Sequence, residues 1–384
     1  MTNASLPLAG IRVIEIGHSI AAPYGALVLA ELGAEVIKIE RPCVGDDARA
    51  WGAPIEGASP TFHAMNRLKR SVTLDLKSDE GREAVHRLAA ISDVVIQNQK
   101  PGLAEALGIG PTDLTALSPR LIYANIHAFG TEGPLADKPG YDPLMQAFGG
   151  LMSVTGEPGR PSIRVGPSII DMGTGMWLVI GVMTALLRRA TTGRGGVVDT
   201  ALYETALGWM TYFLPILSAT GKAPGKAGSG TVMICPYQIF QCADGELMIA
   251  AGNDRLFAAL STVLDHLEWA EDPRFLHNPE RVANRDVLCA LIGGRTAERT
   301  IADLSAALDA VGVPHAPVHD TADMAEHPQT EATGMLRGGG NLRFLGLPFR
   351  IDGQRPDRDD GPAPALGADN DWLEALLARG QTSD

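Results

Sequence analysis

Ile11-Arg-Val-Ile-Glu-Ile-Gly-His-Ser-Ile-Ala-Ala-Pro-Tyr-Gly-Ala-Leu-Val-Leu-Ala-Glu-Leu-Gly-Ala-Glu-Val-Ile-Lys-Ile-Glu40 decides how the chain folds. Ile11 to Ile16 is a short run rich in β-branched residues, as buried strands are. Pro23 to Leu32 reads as a helix, with proline in its first turn and Gly33 closing it. Glu35 to Ile39 is the next strand. Working outward, Ser71 to Leu76, Asp93 to Ile96 and Leu121 to Ile126 read as further strands. Glu80 to Ala90 and Pro111 to Leu117 read as helices between them. This alternation predicts an α/β domain whose mostly parallel sheet is covered by helices.

Beyond residue 130 the pattern changes twice. Met172 to Leu187 is the most apolar stretch, bounded by Asp171 and Arg188. A helix over Gly173 to Arg189 would be apolar on all sides, which predicts an internal helix. A second apolar segment runs from Leu202 to Leu217. Ala219 to Gly230 has the Gly, Pro and Ser content of a linker or loop. Tyr237 to Phe240 and Glu246 to Ala250 then read as a hairpin around Ala243-Asp-Gly245. Helices are predicted near 254–265, 279–292 and 298–311. The expected organisation is a large domain at 1–200, a linker at 201–227 and a smaller α+β domain at 228–325. The tail, 330–384, is expected to return to the large domain.

The chain has 384 residues, with 32 Lys+Arg against 45 Asp+Glu, a net charge of −13. At roughly 150 residues per domain, that length makes two or three domains. Hydrophobic residues at 45% and charged residues at 20% describe a globular protein and exclude a disordered one. The acidic balance argues against a nucleic-acid binder. Four cysteines, none in a C-x-x-C pair, are too few and too scattered for a disulfide framework. The first residues carry no basic segment followed by an apolar core, and no uncharged stretch reaches the roughly 20 residues that a bilayer needs. A soluble, cytoplasmic protein with no membrane partner is expected.

The turn after the first strand is Gly17-His-Ser-Ile-Ala-Ala22, without the G-x-G-x-x-G that lets a dinucleotide phosphate rest on bare backbone. Glu40 ends the second strand as a ribose-binding acid would, but without the glycines NAD is set aside. Asn66-Arg67-Leu68-Lys69-Arg70 packs its cations closely enough to hold phosphates. The alternative there is a solvated basic edge. Gln97-Asn98-Gln99-Lys100 ends another strand, where α/β sheets bind ligands. His315 and His319 are four apart, but Pro314 and Pro317 keep one helix from presenting both, and no metal is expected. Asp171 stands just before the apolar helix, where the helix dipole favours its anion. Spacing alone leaves it open as a simple N-cap or as a nucleophile.

An ordered set of stretches resembles the family III CoA-transferases, a group shared with the α-methylacyl-CoA racemases. The set begins with Pro7-Leu-Ala-Gly-Ile-Arg-Val-Ile-Glu15, Leu32-Gly-Ala-Glu-Val-Ile-Lys-Ile-Glu-Arg41 and Gly45-Asp46. Lys69-Arg-Ser-Val-Thr-Leu-Asp-Leu-Lys77 and Gly140-Tyr-Asp-Pro-Leu-Met-Gln-Ala147 follow, then Asp171 and Thr192-Gly-Arg-Gly195. Pro236-Tyr-Gln238, Gly252-Asn-Asp254 and Asp272-Pro-Arg-Phe275 complete it. The resemblance covers nearly the whole chain and implies a Rossmann-like large domain, a smaller domain and an interlocked homodimer. It implies coenzyme A as acyl-CoA substrate, a small carboxylic acid as the second substrate, and Asp171 as the nucleophile.

By the same resemblance, the loop Ser19, Ile20 and Ala21 lines the CoA site. Arg41 stands near the nucleotide, and Asn66, Arg67, Leu68 and Lys69, with Asn98, Gln99 and Lys100, are adenosine-phosphate loops. Tyr141 and Asp142 belong to the CoA-contacting set. Gly228 and Gly230 are expected to donate backbone N–H groups to oxyanions. Ala106 and Pro139 replace a phosphate-binding arginine and a lysine of formyl-CoA transferase, and Lys138 is expected to substitute for the second. Ile20 replaces a glutamine and cannot donate its hydrogen bond, so oxalate and formate are not expected as substrates. The racemases pair a histidine with the aspartate, and Tyr141 stands in its place. A phenol with a pKa near ~10 is a poor base at neutral pH, which favours transfer. The alternatives are an acyl-CoA racemase or epimerase and a catalytically silent CoA-binding module.

Overall fold

Residues 6–339, 341–358 and 361–379 are described by a computed structural model. β1 (Arg12–Ile16), β2 (Glu35–Glu40), β3 (Arg70–Thr73), β4 (Val94–Gln97), β5 (Ile122–His127) and β6 (Gly196–Ala201) form one parallel sheet in the order β3-β2-β1-β4-β5-β6. The chain steps outward from β1 to β3, then crosses back to β4 and continues to β6. Strand order therefore reverses between β1 and β4, which pair Ile16 with Gln97 at their C-terminal ends. A crevice opens where the connections leave in opposite directions, and ligands of such sheets bind there.

Two compact units divide the chain. The first comprises residues up to Gly150, Val165–Met210 and the tail from Pro328. Its core is continuous through Ile14, Ile37, Val95 and Tyr123 of the sheet, Leu88 of the helix Asp79–Ala90, and Leu373 and Leu377 of the helix Asn370–Arg379. The tail also closes the β3 edge. Asp369 and Asn370 side chains accept the N–H groups of Ser71 (2.9 Å) and Thr73 (2.8 Å), which an open edge would leave unpaired. Earlier in the tail, β10 (Leu336–Gly339) and β11 (Leu342–Leu345) form a hairpin that hydrophobic patterning did not reveal.

The apolar helix runs Ile169–Thr192, four residues earlier than its pattern suggested. Gly193 ends it in the left-handed conformation (φ 72°), donating its N–H to Arg189 O at 2.8 Å. The expectation of an internal helix is corrected. One face packs on the helix Ala21–Glu31 and on β5 and β6, while Met176, Trp177, Ile180 and Leu187 are exposed. A close approach explains the packed face. A Cβ on Gly175 would stand 2.7 Å from Ala21 O and 3.0 Å from Gly25 N, so only glycine admits this crossing.

The second unit comprises Leu151–Arg164 and Thr211–His327. β7 (Tyr237–Cys242) and β8 (Gly245–Ala250) form the expected hairpin, and β9 (His315–Pro317) adds a third strand. β9 carries a proline at its end, as edge strands tolerate. The helix expected at 279–292 is two, Asn278–Ala283 and Arg285–Thr296, and the last helix starts at Ile301, capped by Thr300. Residues 201–227, read as a linker, are helical over Leu202–Trp209 and Phe213–Thr220.

Candidate active site

Asp171 is the third residue of its helix, and Ser168, at the cap position, makes no side-chain cap bond. The exposed helix N–H groups are satisfied from elsewhere. Asp142 Oδ2 accepts from Ile170 N at 2.7 Å and from Asp171 N at 3.2 Å. Asp142 Oδ1 accepts from Gln146 Nε2 at 2.6 Å, and Gln146 Oε1 accepts from Val165 N at 2.8 Å. The N-cap is thus Asp142, buried and fully engaged, not Asp171. Among the described residues, the Asp171 carboxylate is left without a hydrogen bond or ion pair. Burial, and then the Asp142 charge, push its pKa up to about 7. The helix dipole pulls the other way by roughly 0.3–1 kcal/mol, so desolvation wins.

Asp171 lines a cavity of about 100 Å³ at the C-terminal ends of β1, β4 and β5. The other walls are His18, Ser19 and Ala21 after β1, Asn98 to Pro101 after β4, Ile126 to Ala128 ending β5, Pro139 to Tyr141, and Leu202. A larger depression of about 600 Å³ lies by Gly33–Val36 and Leu68–Arg70 at the N-terminal ends of β2 and β3. Ligands of such sheets sit outside the carboxyl ends, so the smaller cavity is the candidate.

The loop over this cavity is held from three sides. Ser19, in the left-handed region at φ 67°, donates its N–H to Asp46 Oδ1 at 3.1 Å. Lys38 Nζ donates to Gly17 O at 2.9 Å and pairs with Glu15 at 2.8 Å and Asp46 at 3.0 Å. Asn98 Oδ1 accepts from His18 N at 3.0 Å, and Asn98 Nδ2 donates to His18 O at 2.9 Å. Gln99 Nε2 donates to Ile16 O at 3.0 Å. Asn98 and Gln99 therefore fasten the two turns to each other while lining the cavity. Ile20 is half-buried beside Ala21, and Lys100 is exposed. Tyr141 is 63% exposed. Lys138 and Ala106 are exposed as well.

The basic stretch is not a solvated edge. Asn66, Arg67 and Lys69 are buried. Arg67 pairs with Glu31 and donates to Leu345 O at 2.9 Å. Lys69 Nζ lies 2.7 Å from Glu15 and donates to Pro23 O and Asn66 Oδ1, each at 2.9 Å. Burial lowers the Lys69 pKa to about 8, against the opposing pull of Glu15. Buried charges must be paired, so these are taken up inside the protein. Leu68 (φ 66°) lines the far depression. Arg41 is exposed but folds back on Gly45 O (3.1 and 3.0 Å) and Asp47. Glu40 accepts from Arg49 at 2.8 and 2.7 Å, so it is no ribose ligand. In the second unit, Gly228 N donates to Gly156 O and Gly230 N to Ala227 O, each at 3.0 Å. Neither amide is free for an oxyanion. What patterning missed is the support: Asp142 lies far from Asp171 in sequence, and Asp46 is signalled only by Gly45-Asp46 after a strand.

The family model described as CoA-transferase family III matches residues 8–370. The chain belongs to CoA-transferase family III. It is 37% identical to acetyl-CoA:oxalate CoA-transferase of Acetobacter aceti, over 94% of this chain and 93% of that protein. It is 36% identical to succinate–glutarate CoA-transferase of Agrobacterium fabrum, over 96% and 94%. Among solved structures, a CAIB/BAIF family protein from Brucella suis matches with a TM-score of 0.88 and 40% identity, covering 97% of this chain and 99% of that one. As a family III CoA-transferase, the chain is an enzyme that acts on CoA thioesters.

Proposed function

We propose that this enzyme moves CoA reversibly between an acyl-CoA and a small carboxylic acid, with Asp171 as nucleophile. The observation that carries the reading is one carboxylate, freed from helix capping by Asp142 and left unpaired on a cavity wall. Its raised pKa describes an oxygen more nucleophilic than an ordinary carboxylate yet still largely ionised above neutrality. Asp171 attacks the thioester carbonyl; the C–S bond breaks, giving an aspartyl–acyl anhydride and CoA thiolate. The thiolate attacks the aspartyl carbonyl and releases the donor acid, leaving an aspartyl-CoA thioester. The acceptor carboxylate attacks that thioester, forming a second anhydride and freeing the thiolate again. The thiolate then takes the acceptor acyl group and restores Asp171. Each step exchanges one activated acyl bond for another, so no external energy source is needed.

CoA approaches over the Ser19–Ala21 loop, with exposed Lys100, Tyr141 and Lys138 as its contacts. Relatives named for succinate, glutarate and malate support short dicarboxylic acids as the acid class. The exposed stripe Met176, Trp177, Ile180 and Leu187 supports a homodimer, which sedimentation velocity tests. The decisive experiment incubates the enzyme with acyl-CoA, traps with hydroxylamine or borohydride, and maps the product by mass spectrometry. Modification at Asp171 is expected. Normal CoA transfer by Asp171→Ala would end the proposal.

A further inference from the structure

Cys235 and Cys289 stand 54 residues apart in sequence, yet their Sγ atoms lie 3.8 Å apart in the second unit. Cys235 is buried just before β7, and Cys289 is partly exposed within the helix Arg285–Thr296. The backbone is pinned on both sides of the first sulfur. Arg281 Nε donates to Cys235 O at 2.9 Å, and Cys235 N donates to Asn278 Oδ1 at 3.2 Å. Arg285, from the first turn of the helix that carries Cys289, donates to Thr231 O at 2.7 Å and to Ile234 O at 2.9 Å. The turn at 231–234 and that helix are therefore held together, and the two sulfurs meet between them. Neither sulfur has a part in the transfer of CoA.

The two thiols differ chemically. The hydrogen bond from Cys289 holds the Cys235 pKa below the ordinary thiol range against the opposing effect of burial. The Arg285 and Arg281 guanidiniums act in the same direction, and Asp286 opposes them. The same bond, with burial, pushes the Cys289 pKa up. Cys235 is thus the thiolate, the form that attacks electrophiles, and Cys289 is the proton donor. Cys289 Sγ also lies 3.3 Å from Gln238 Oε1, a second acceptor for its one hydrogen. A disulfide at about 2.05 Å needs the sulfurs to close by roughly 1.8 Å, within reach of rotation of the two side chains. Cys43 and Cys242 have no sulfur partner among the described residues.

We propose that Cys235 and Cys289 form an oxidisable dithiol, converted by a hydroperoxide into a disulfide that ties the turn at 231–234 to the helix Arg285–Thr296. The Cys235 thiolate attacks one peroxide oxygen. The O–O bond breaks, the sulfur becomes a sulfenic acid, and the departing hydroxide or alkoxide takes the Cys289 proton. The Cys289 thiolate then attacks the sulfenic sulfur; the S–S bond forms and hydroxide leaves. Two electrons pass from the sulfurs to the peroxide. The link closes a long loop, which removes freedom from the unfolded chain.

The test treats the full chain carrying Cys43→Ser, which lacks the exposed thiol, with hydrogen peroxide. Remaining thiols are alkylated, and the unreduced digest is mapped by mass spectrometry. A Cys235–Cys289 peptide two hydrogens lighter than the separate thiols is expected, formed about tenfold faster than any oxidation of Cys242. Calorimetry should show the second unit melting several degrees higher, and dithiothreitol should reverse both changes. With Cys289→Ser added, dimedone should label Cys235 as a sulfenic acid; with Cys235→Ser added, Cys289 should stay a thiol. Two intact thiols after peroxide, a link to Cys242 or between two chains, or an unchanged melting temperature in the linked protein overturns the proposal. The linked peptide is read in protein that keeps both cysteines, so the result stands even where a serine variant folds poorly.

Discussion

Replacing Asp171 by asparagine should stabilise the protein, and only above a particular pH. In the folded chain this carboxyl keeps its proton up to about 7, against 3.8 for an ordinary aspartate. Between those values the folded state binds more protons than the unfolded one, so stability falls as pH rises through the window. The shift is about 3 units, and each is worth about 1.4 kcal/mol, which sets a ceiling of roughly 4 kcal/mol lost by pH 8. Asparagine cannot ionise and keeps the shape, so it escapes this loss. The variant should match wild type near pH 4, gain less than half the full difference at pH 5, and gain about 3–4 kcal/mol at pH 8. At roughly 2 °C per kcal/mol, that is a rise of about 6–8 °C in Tm for the unit that carries Asp171. Differential scanning calorimetry across pH 4–8 reads it directly. A gain that is absent at pH 8, or equal at pH 5 and pH 8, would show that the carboxyl is not desolvated and would refute the reasoning.

Activity should carry the same titration: kcat/KM rises with pH to a plateau above the Asp171 pKa of about 7, as a pH–rate profile will show. Asp142→Asn should move that limb downward by less than half of the full shift, because burial is the larger cause, and should also weaken the helix cap by about 0.5–2 kcal/mol in urea unfolding. Gly175→Ala drives a methyl against Ala21 O, so it should cost about 1–3 kcal/mol and depress transfer by displacing the Ser19–Ala21 loop. Asp46→Ala leaves Lys38 short of a buried partner and should cost about 3–5 kcal/mol, read as a lowered urea midpoint.

Local pattern carried much of the framework. β-branched runs and helix punctuation placed β1, β2, β4 and β5 to within a residue or two, because buried parallel strands are apolar on both faces and need no partner to be recognised. The same logic failed for the apolar helix, whose composition reads as buried all round while one face stays open. Asp171 could be picked from sequence, but a cap and a nucleophile share the same spacing. The cap role is taken by Asp142, which enters from another helix.

Sequence by itself determined the strand rhythm, the acidic balance and the family, since each is written in residue types and local order. The roles of the charged residues were decided only by the tertiary structure. Arg67 and Lys69 look like phosphate ligands in the chain, yet folding buries them against Glu31 and Glu15. His127 looks unremarkable there, yet three strands bring it to Asp199 beside Lys100. The physical reason is that a charge acts through its neighbours, and in a parallel sheet those neighbours come from strands far apart in sequence.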